Sequence, residues 1–243
     1  MSAVVPSARM RFYPLAAIAL AGFIIVGFSR TYYLRFLSDL PPMRAVMQLH
    51  GAVFTAWLAL FVAQTQLIAA HRVDLHRKLG IVGVLLTVLV VTTSVVAMLI
   101  SAATPRLSQL GLTSPQSSIV PFVAIAQFVV LVSVGVAVRR RASLHKRFML
   151  LAMISVLGPP TARLIGLFGA SKYFLLIQMC VVAAFVTCCL IFDWQKNRVV
   201  HPVFAIGGIV LVLMWPLRYA IARSETWQPI GQWFAESGQN LLE

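Results

Sequence analysis

Five histidines are the main reactive side chains in this chain of 243 residues. Imidazole can ligate haem iron, bind zinc or relay protons near neutral pH, and each task needs rings brought together from separate helices. Two histidines sit in a weak repeat, Leu75-His76-Arg77-Lys78-Leu79 and Leu144-His145-Lys146-Arg147-Phe148, each following a residue suited to cap a helix, Asp74 and Ser143. Two parallel helices that open this way from one face would hold both rings at one depth. His201, just before Pro202, adds a third at a similar level. The set His76, His145 and His201 is therefore a candidate metal site, with His76 and His145 as candidate haem ligands. The competing reading, which is favoured, makes these histidines interfacial residues beside cations that mark the membrane boundary, and it is stronger still for His71 and His201.

A second constellation is expected on the opposite face. His50 stands inside an apolar run, where a polar ring needs a partner, and on a period of 3.6 it shares a stripe with Phe54, Trp57, Phe61 and Gln64. That stripe should face the interior, and Gly51 would let another helix or a planar ligand come close. Arg163 follows Gly158-Pro159-Pro160-Thr161, where two prolines remove amide donors and free carbonyls one turn earlier. Together with Arg30 and Tyr32 near the end of the first run, His50 and Arg163 outline an anion- or carbonyl-binding niche; alternatively they are snorkelling and belt residues. Gln64, Gln66, Thr92, Thr93, Gln127, Ser133 and Gln178 read as hydrogen-bonding glue between helices. Asp193 could orient a histidine or pair with a nearby cation.

The elements that must position these side chains follow from composition. The chain is 60% apolar and 11% charged, with a mean hydropathy of +0.91. Soluble domains run at about 45–50% apolar and about 25% charged. Several apolar runs are about 17 to 25 residues long, enough to cross about 30 Å of hydrocarbon. The fold is expected to be all-α, a single polytopic membrane bundle with spans near 13–29, 44–70, 76–102, 118–138, 145–168, 171–193 and 202–222. Runs of this length, broken by Gly and Pro, exclude an outer-membrane barrel. The 20 Lys and Arg outnumber 6 Asp and Glu, but they lie between apolar segments rather than on one solvated face, which excludes nucleic acid as the partner and points to lipid headgroups. Cys180, Cys188 and Cys189 all lie in one apolar run, so neither a structural disulfide nor a CxxC site is supported. No HExxH, phosphate loop or nucleophile elbow occurs.

Orientation follows from the distribution of cations. Arg9, Arg11, Arg72, Arg77, Lys78, Arg139, Arg140, Arg141, Lys146, Arg147, Lys196 and Arg198 make 12 on the side of the N-terminus, and the other 8 of the 20 fall opposite. The N-terminus is therefore expected inside and the C-terminus outside. The first run resembles a signal sequence but lacks a cleavage site and reads as a retained helix. Trp227 and Trp233, around a break at Pro229 and Gly231, read as an interfacial anchor.

His50-Gly51, Leu75-His76-Arg77-Lys78-Leu79-Gly80, and His145-Lys146-Arg147-Phe148-Met149 followed by Arg163 resemble an uncharacterised family of bacterial multi-pass membrane proteins, a domain of unknown function with HRxxG and HRxxM helix starts. The likeness covers about residues 44 to 168, with Lys146 where the second motif has arginine. It implies a bacterial inner-membrane location, and because the family's function is not established it sharpens candidate positions without supplying an activity. A looser similarity to membrane b-type cytochromes implies one haem b, between His76 and His145. The leading expectation is a membrane redox protein with that haem and a quinone headgroup at His50 and Arg163. The alternative is a transport or assembly protein without a cofactor, in which the Pro159-Pro160 break lines a path. Small-residue faces would permit a homo-oligomer.

Overall fold

The computed structural model describes residues 8–242. The order is α1 (Ala8–Phe28), α2 (Ala45–Ala69), α3 (Val73–Ala103), α4 (Ser114–Ser117), α5 (Ile119–Ala137), α6 (Ala142–Ser155), α7 (Gly158–Leu167), α8 (Phe174–Asn197), α9 (Pro202–Ala222) and α10 (Gln228–Gln239). Among the described residues seven helical spans are long and apolar enough to cross a membrane, and no strand forms beyond one isolated bridge between Leu107 and Thr113. The protein is an all-helical, multi-pass membrane bundle. In hydrocarbon this is the economical solution, because a helix satisfies its backbone groups internally.

The fifth span, α6 and α7 together, is the axis of the bundle. Within its membrane-length window 61% of residues are buried in the protein, against 17–33% in the other six spans. Leu150, Leu151, Ala152, Met153 and Ile154 are all 0–1% exposed. The span expected as one helix over 145–168 is in fact two. Pro159 and Pro160 fall in the first turn of α7, where a missing amide proton costs nothing, but they cannot donate back to the end of α6. The break is packed shut. A Cβ on Gly27 of α1 would lie 2.4 Å from Pro160 Cβ, and one on Gly158 would lie 2.8 Å from the Trp215 ring of α9. The Gln178 amide on α8 donates to the Gly158 carbonyl at 3.1 Å.

The C-terminal segment also departs from expectation. Pro229 starts α10 rather than breaking the chain, and Gly231 lies inside that helix. Cβ atoms at Gly231 and Gly238 would fall 2.5 Å from the Pro115 carbonyl and 2.1 Å from the Leu99 carbonyl, so glycine lets α10 dock on α4 and the end of α3. Trp227 and Phe234 are buried in a second small core with Met98, Ala102, Leu112, Ile119 and Ala222, while Trp233 is exposed. One tryptophan of the expected anchor is thus a packing residue.

Candidate functional site

The two histidine segments share more than their opening letters. The N-caps are Arg72 and Arg141, not Asp74 and Ser143, and neither cap uses a side chain. The His76 and His145 amides donate to the carbonyls of Arg72 and Arg141, both at 3.0 Å, so the two histidines occupy the same position in their helices. Asp74 lies 3.7 Å from Arg72 on the surface, and Ser143 accepts from Arg147 through both its hydroxyl and its carbonyl at 2.7 Å. The imidazoles come together, with ring centroids 6.2 Å apart and planes at 78°. His145 Nδ1 lies 2.8 Å from the Gly135 carbonyl. A carbonyl only accepts, so Nδ1 carries the proton and Nε2 keeps its lone pair, as in histidine ligands oriented by a backbone carbonyl. His76 Nδ1 is buried without a partner. Metal-bound nitrogens sit at about 2.0–2.1 Å from the ion, and rings whose centroids are 6.2 Å apart are near enough that both could reach one ion.

The three-histidine set does not assemble. Among the described residues no group of three or more His, Cys, Asp or Glu side chains is placed to hold a metal ion. His201 is used locally instead: its Nδ1 accepts the Val203 amide at 3.2 Å and caps α9. Its pKa is lowered from the usual 6.5 by burial and by the cations Arg147 and Lys146, with Asp193 opposing. Beside it lies an ion pair absent from the sequence reading as a pair. Arg147 Nε and Nη2 grip Asp193 Oδ2 and Oδ1 at 3.0 and 2.6 Å, with Arg147 4% and Asp193 0% exposed. Asp193 also accepts the His201 backbone amide at 3.3 Å, so it orients a histidine backbone and not an imidazole.

At the opposite end of the bundle, His50 finds its partner on α3. His50 Nδ1 lies 3.1 Å from Thr93 Oγ1, whose own proton goes to the Leu89 carbonyl at 2.8 Å, so Nδ1 donates and Nε2 remains an acceptor. The stripe expected on α2 does face inward. Trp57 and Phe61 are buried and stacked at 5.7 Å, and Trp57 Nε1 donates to Thr87 at 2.9 Å. The planar group at Gly51 is the chain's own Tyr32, since a Cβ there would lie 2.2 Å from that ring. Tyr32 belongs to a π-helical turn, Ser29–Tyr33, which follows α1 and re-aims Thr31. Arg163 Nε donates to Thr31 Oγ1 and Nη1 to the Pro159 carbonyl, both at 3.0 Å, and the guanidinium lies 4.1 Å over Phe28. Nη2 is its remaining nitrogen. Arg30 lines a different recess of about 320 Å³ with Ser29, Leu34 and Asp39, away from the His50 ring. Thr31 and Phe28, which the sequence reading missed, carry no signal beyond their place one turn around Arg30.

No family model matches the chain, and no curated protein and no solved structure gives a match.

Proposed function

We propose that this is a redox protein of a bacterial inner membrane, N-terminus inside, in which His76 and His145 would hold one b-type haem. The observation that carries the reading is the ring pair itself: 6.2 Å between centroids, with His145 fixed through Nδ1 on Gly135 and a buried, unpartnered Nδ1 on His76. A structural hydrogen-bonded pair would leave neither ring short of a partner. When bound, the haem would supply one-electron transfer. The chain's own part is to hold two neutral imidazoles at one depth and to fix the tautomer of His145.

At the other face, the niche of His50 and Arg163 suits a quinone headgroup. Arg163 Nη2 would donate to a ring oxygen, and His50 Nε2 would take the proton that a quinol hydroxyl loses. From His76 to Thr93 is 17 residues of α3, about 25 Å, so the two sites serve opposite leaflets. The aromatic stripe of α2 runs between them, from His50 to Gln64, whose amide donates to the His76 carbonyl at 3.2 Å.

The broken fifth span favours the second reading, a transport or assembly protein without cofactor. Against it stands the close packing of Pro160 on Gly27 and of Trp215 on Gly158 at the break. The reduced-minus-oxidised visible spectrum of the detergent-purified protein, with metal analysis of the same sample, decides between them. A b-type band that disappears in His76→Ala and His145→Ala is the expected result. A colourless, metal-free protein, with function sensitive at Pro159 and Arg163, would overturn it in favour of transport or assembly.

A further inference from the structure

Arg218 on α9 is a cation with no counter-ion among the described residues. It is 2% exposed, and guanidinium stays protonated, so its charge is held inside the bundle. The ion pairs among the described residues are Arg72 with Asp74 and Arg147 with Asp193, and neither carboxylate is shared with Arg218. What Arg218 has is a neutral partner and an aromatic floor. Its Nη2 donates to Gln127 Oε1 on α5, and its guanidinium lies 4.8 Å over the Trp215 ring. Two donors are left over: Arg218 Nε and Gln127 Nε2 are both buried without partners.

Arg147 shows what the free edge is shaped for. There the same two nitrogens, Nε and Nη2, take both oxygens of the Asp193 carboxylate. This side-on fork matches a planar carboxylate, and pairing it with one is what makes a buried arginine affordable in low dielectric. Arg218 presents that edge with one amide oxygen on Nη2 and nothing on Nε, while the Gln127 NH2 group adds a further donor. Every unused group is a donor and the net charge is one positive unit. A monoanion with two oxygens in a plane satisfies all of them.

We propose that Arg218 and Gln127 form a binding site for the carboxylate of a monoanionic ligand, held on the Nε–Nη2 edge of Arg218, with Gln127 Nε2 as second donor and Trp215 as the floor. The site is separate from the histidine pair and does not depend on a haem. The carboxylate could belong to a free small acid or to the head of an amphiphile.

The test uses the whole protein in a neutral maltoside detergent near neutral pH. Its Tm is followed against increasing sodium acetate, sodium dodecanoate or, as the uncharged control, dodecanol. A saturable rise of Tm with a carboxylate and none with dodecanol is expected. An equal response to acetate assigns a free acid, and a response to dodecanoate alone assigns an amphiphile. Arg218→Met should lose the response. Gln127→Leu, which keeps the cation, should weaken apparent affinity by about tenfold, the loss of one hydrogen bond to a charged group, and it carries the test if Arg218→Met does not fold. No saturable rise in the unmodified protein, or a rise undiminished in the variants, overturns the proposal.

Discussion

Asp193 is the residue on which the His76 face of the bundle depends most. It is fully buried, both oxygens are engaged by Arg147, and one also holds the His201 amide at the entry to α9. Three spans meet on one carboxylate. Removing one partner of a buried pair strands the other charge, at a cost of about 3–5 kcal/mol. Asp193→Asn should therefore lower stability by about that amount in detergent unfolding, while Arg147→Met combined with Asp193→Leu should recover much of it. An unchanged midpoint in Asp193→Asn would show that the pair is solvated. His201 gives a pH signature at the same place. Its lowered pKa means that the fold prefers the neutral ring, whose Nδ1 must keep a lone pair to cap Val203. The resulting stability is fully present above the ordinary value of 6.5 and is lost as pH falls through the lowered value in the folded state. His201→Asn, which caps without titrating, should flatten that part of the pH profile, read as Tm against pH; an unchanged slope would assign it elsewhere.

At the scale of elements, the junctions carry the strain. His71 closes α2 with φ of 60°, the left-handed region, and Arg72 donates back to the Leu67 carbonyl at 2.8 Å in the six-to-one pattern of a glycine-capped helix end. A residue with a Cβ costs about 1–2 kcal/mol there, and glycine gives back part of that as chain entropy. His71→Gly should thus raise stability by up to about 1 kcal/mol, measured by the same unfolding assay, and a loss would mean that the His71 ring has a role of its own. Gly27 predicts the reverse. The atoms its Cβ would meet include the backbone of Pro160, at 2.7 Å from Cα and 2.8 Å from O, so α1 must move away from the break. Gly27→Ala should cost about 1–3 kcal/mol, the usual penalty of overpacking. These junctions also mark where the sequence was readable. The seven spans were legible because length and apolarity set the free energy of crossing a bilayer, and these are local properties. The inward stripe of Trp57 and Phe61 was legible from its period, and the His76 and His145 pair because the repeat sets both rings at one helical position. The closed break, the docking of α10 and the Arg147–Asp193 pair were not, since each depends on a neighbour supplied from 46 or more residues away: Trp215 for Gly158, Leu99 for Gly238, Asp193 for Arg147. His201 does not join the other two rings because it stands at the start of α9, where its Nδ1 caps Val203 two residues on.

For the whole molecule, the remaining question is which way the bundle faces, because that assigns each site to a compartment. The histidine pair, the Arg147–Asp193 pair and the dense basic loop Arg139–Arg141 share one end, while His50, Arg163 and the recess of about 650 Å³ lined by Tyr32, Tyr33, Arg35 and Gln48 lie at the other. Short loops dense in Lys and Arg resist translocation, so the end with 12 of the 20 cations should stay in the cytoplasm. Seven spans then carry the C-terminus across, and α10, docked on α3 and α4, would sit on the far side. Alkaline phosphatase fused after residue 243 should be active and a green fluorescent protein fused there dark, with the opposite pattern for fusions placed in the loop at Arg140. The inverse result would turn the molecule over without altering a contact within it. The histidine pair would then face the periplasm, and the niche of His50 and Arg163 would exchange protons with the cytoplasm. In the predicted orientation a quinol bound at that niche, as proposed, would release its protons outward, the direction in which its oxidation would add to a membrane potential.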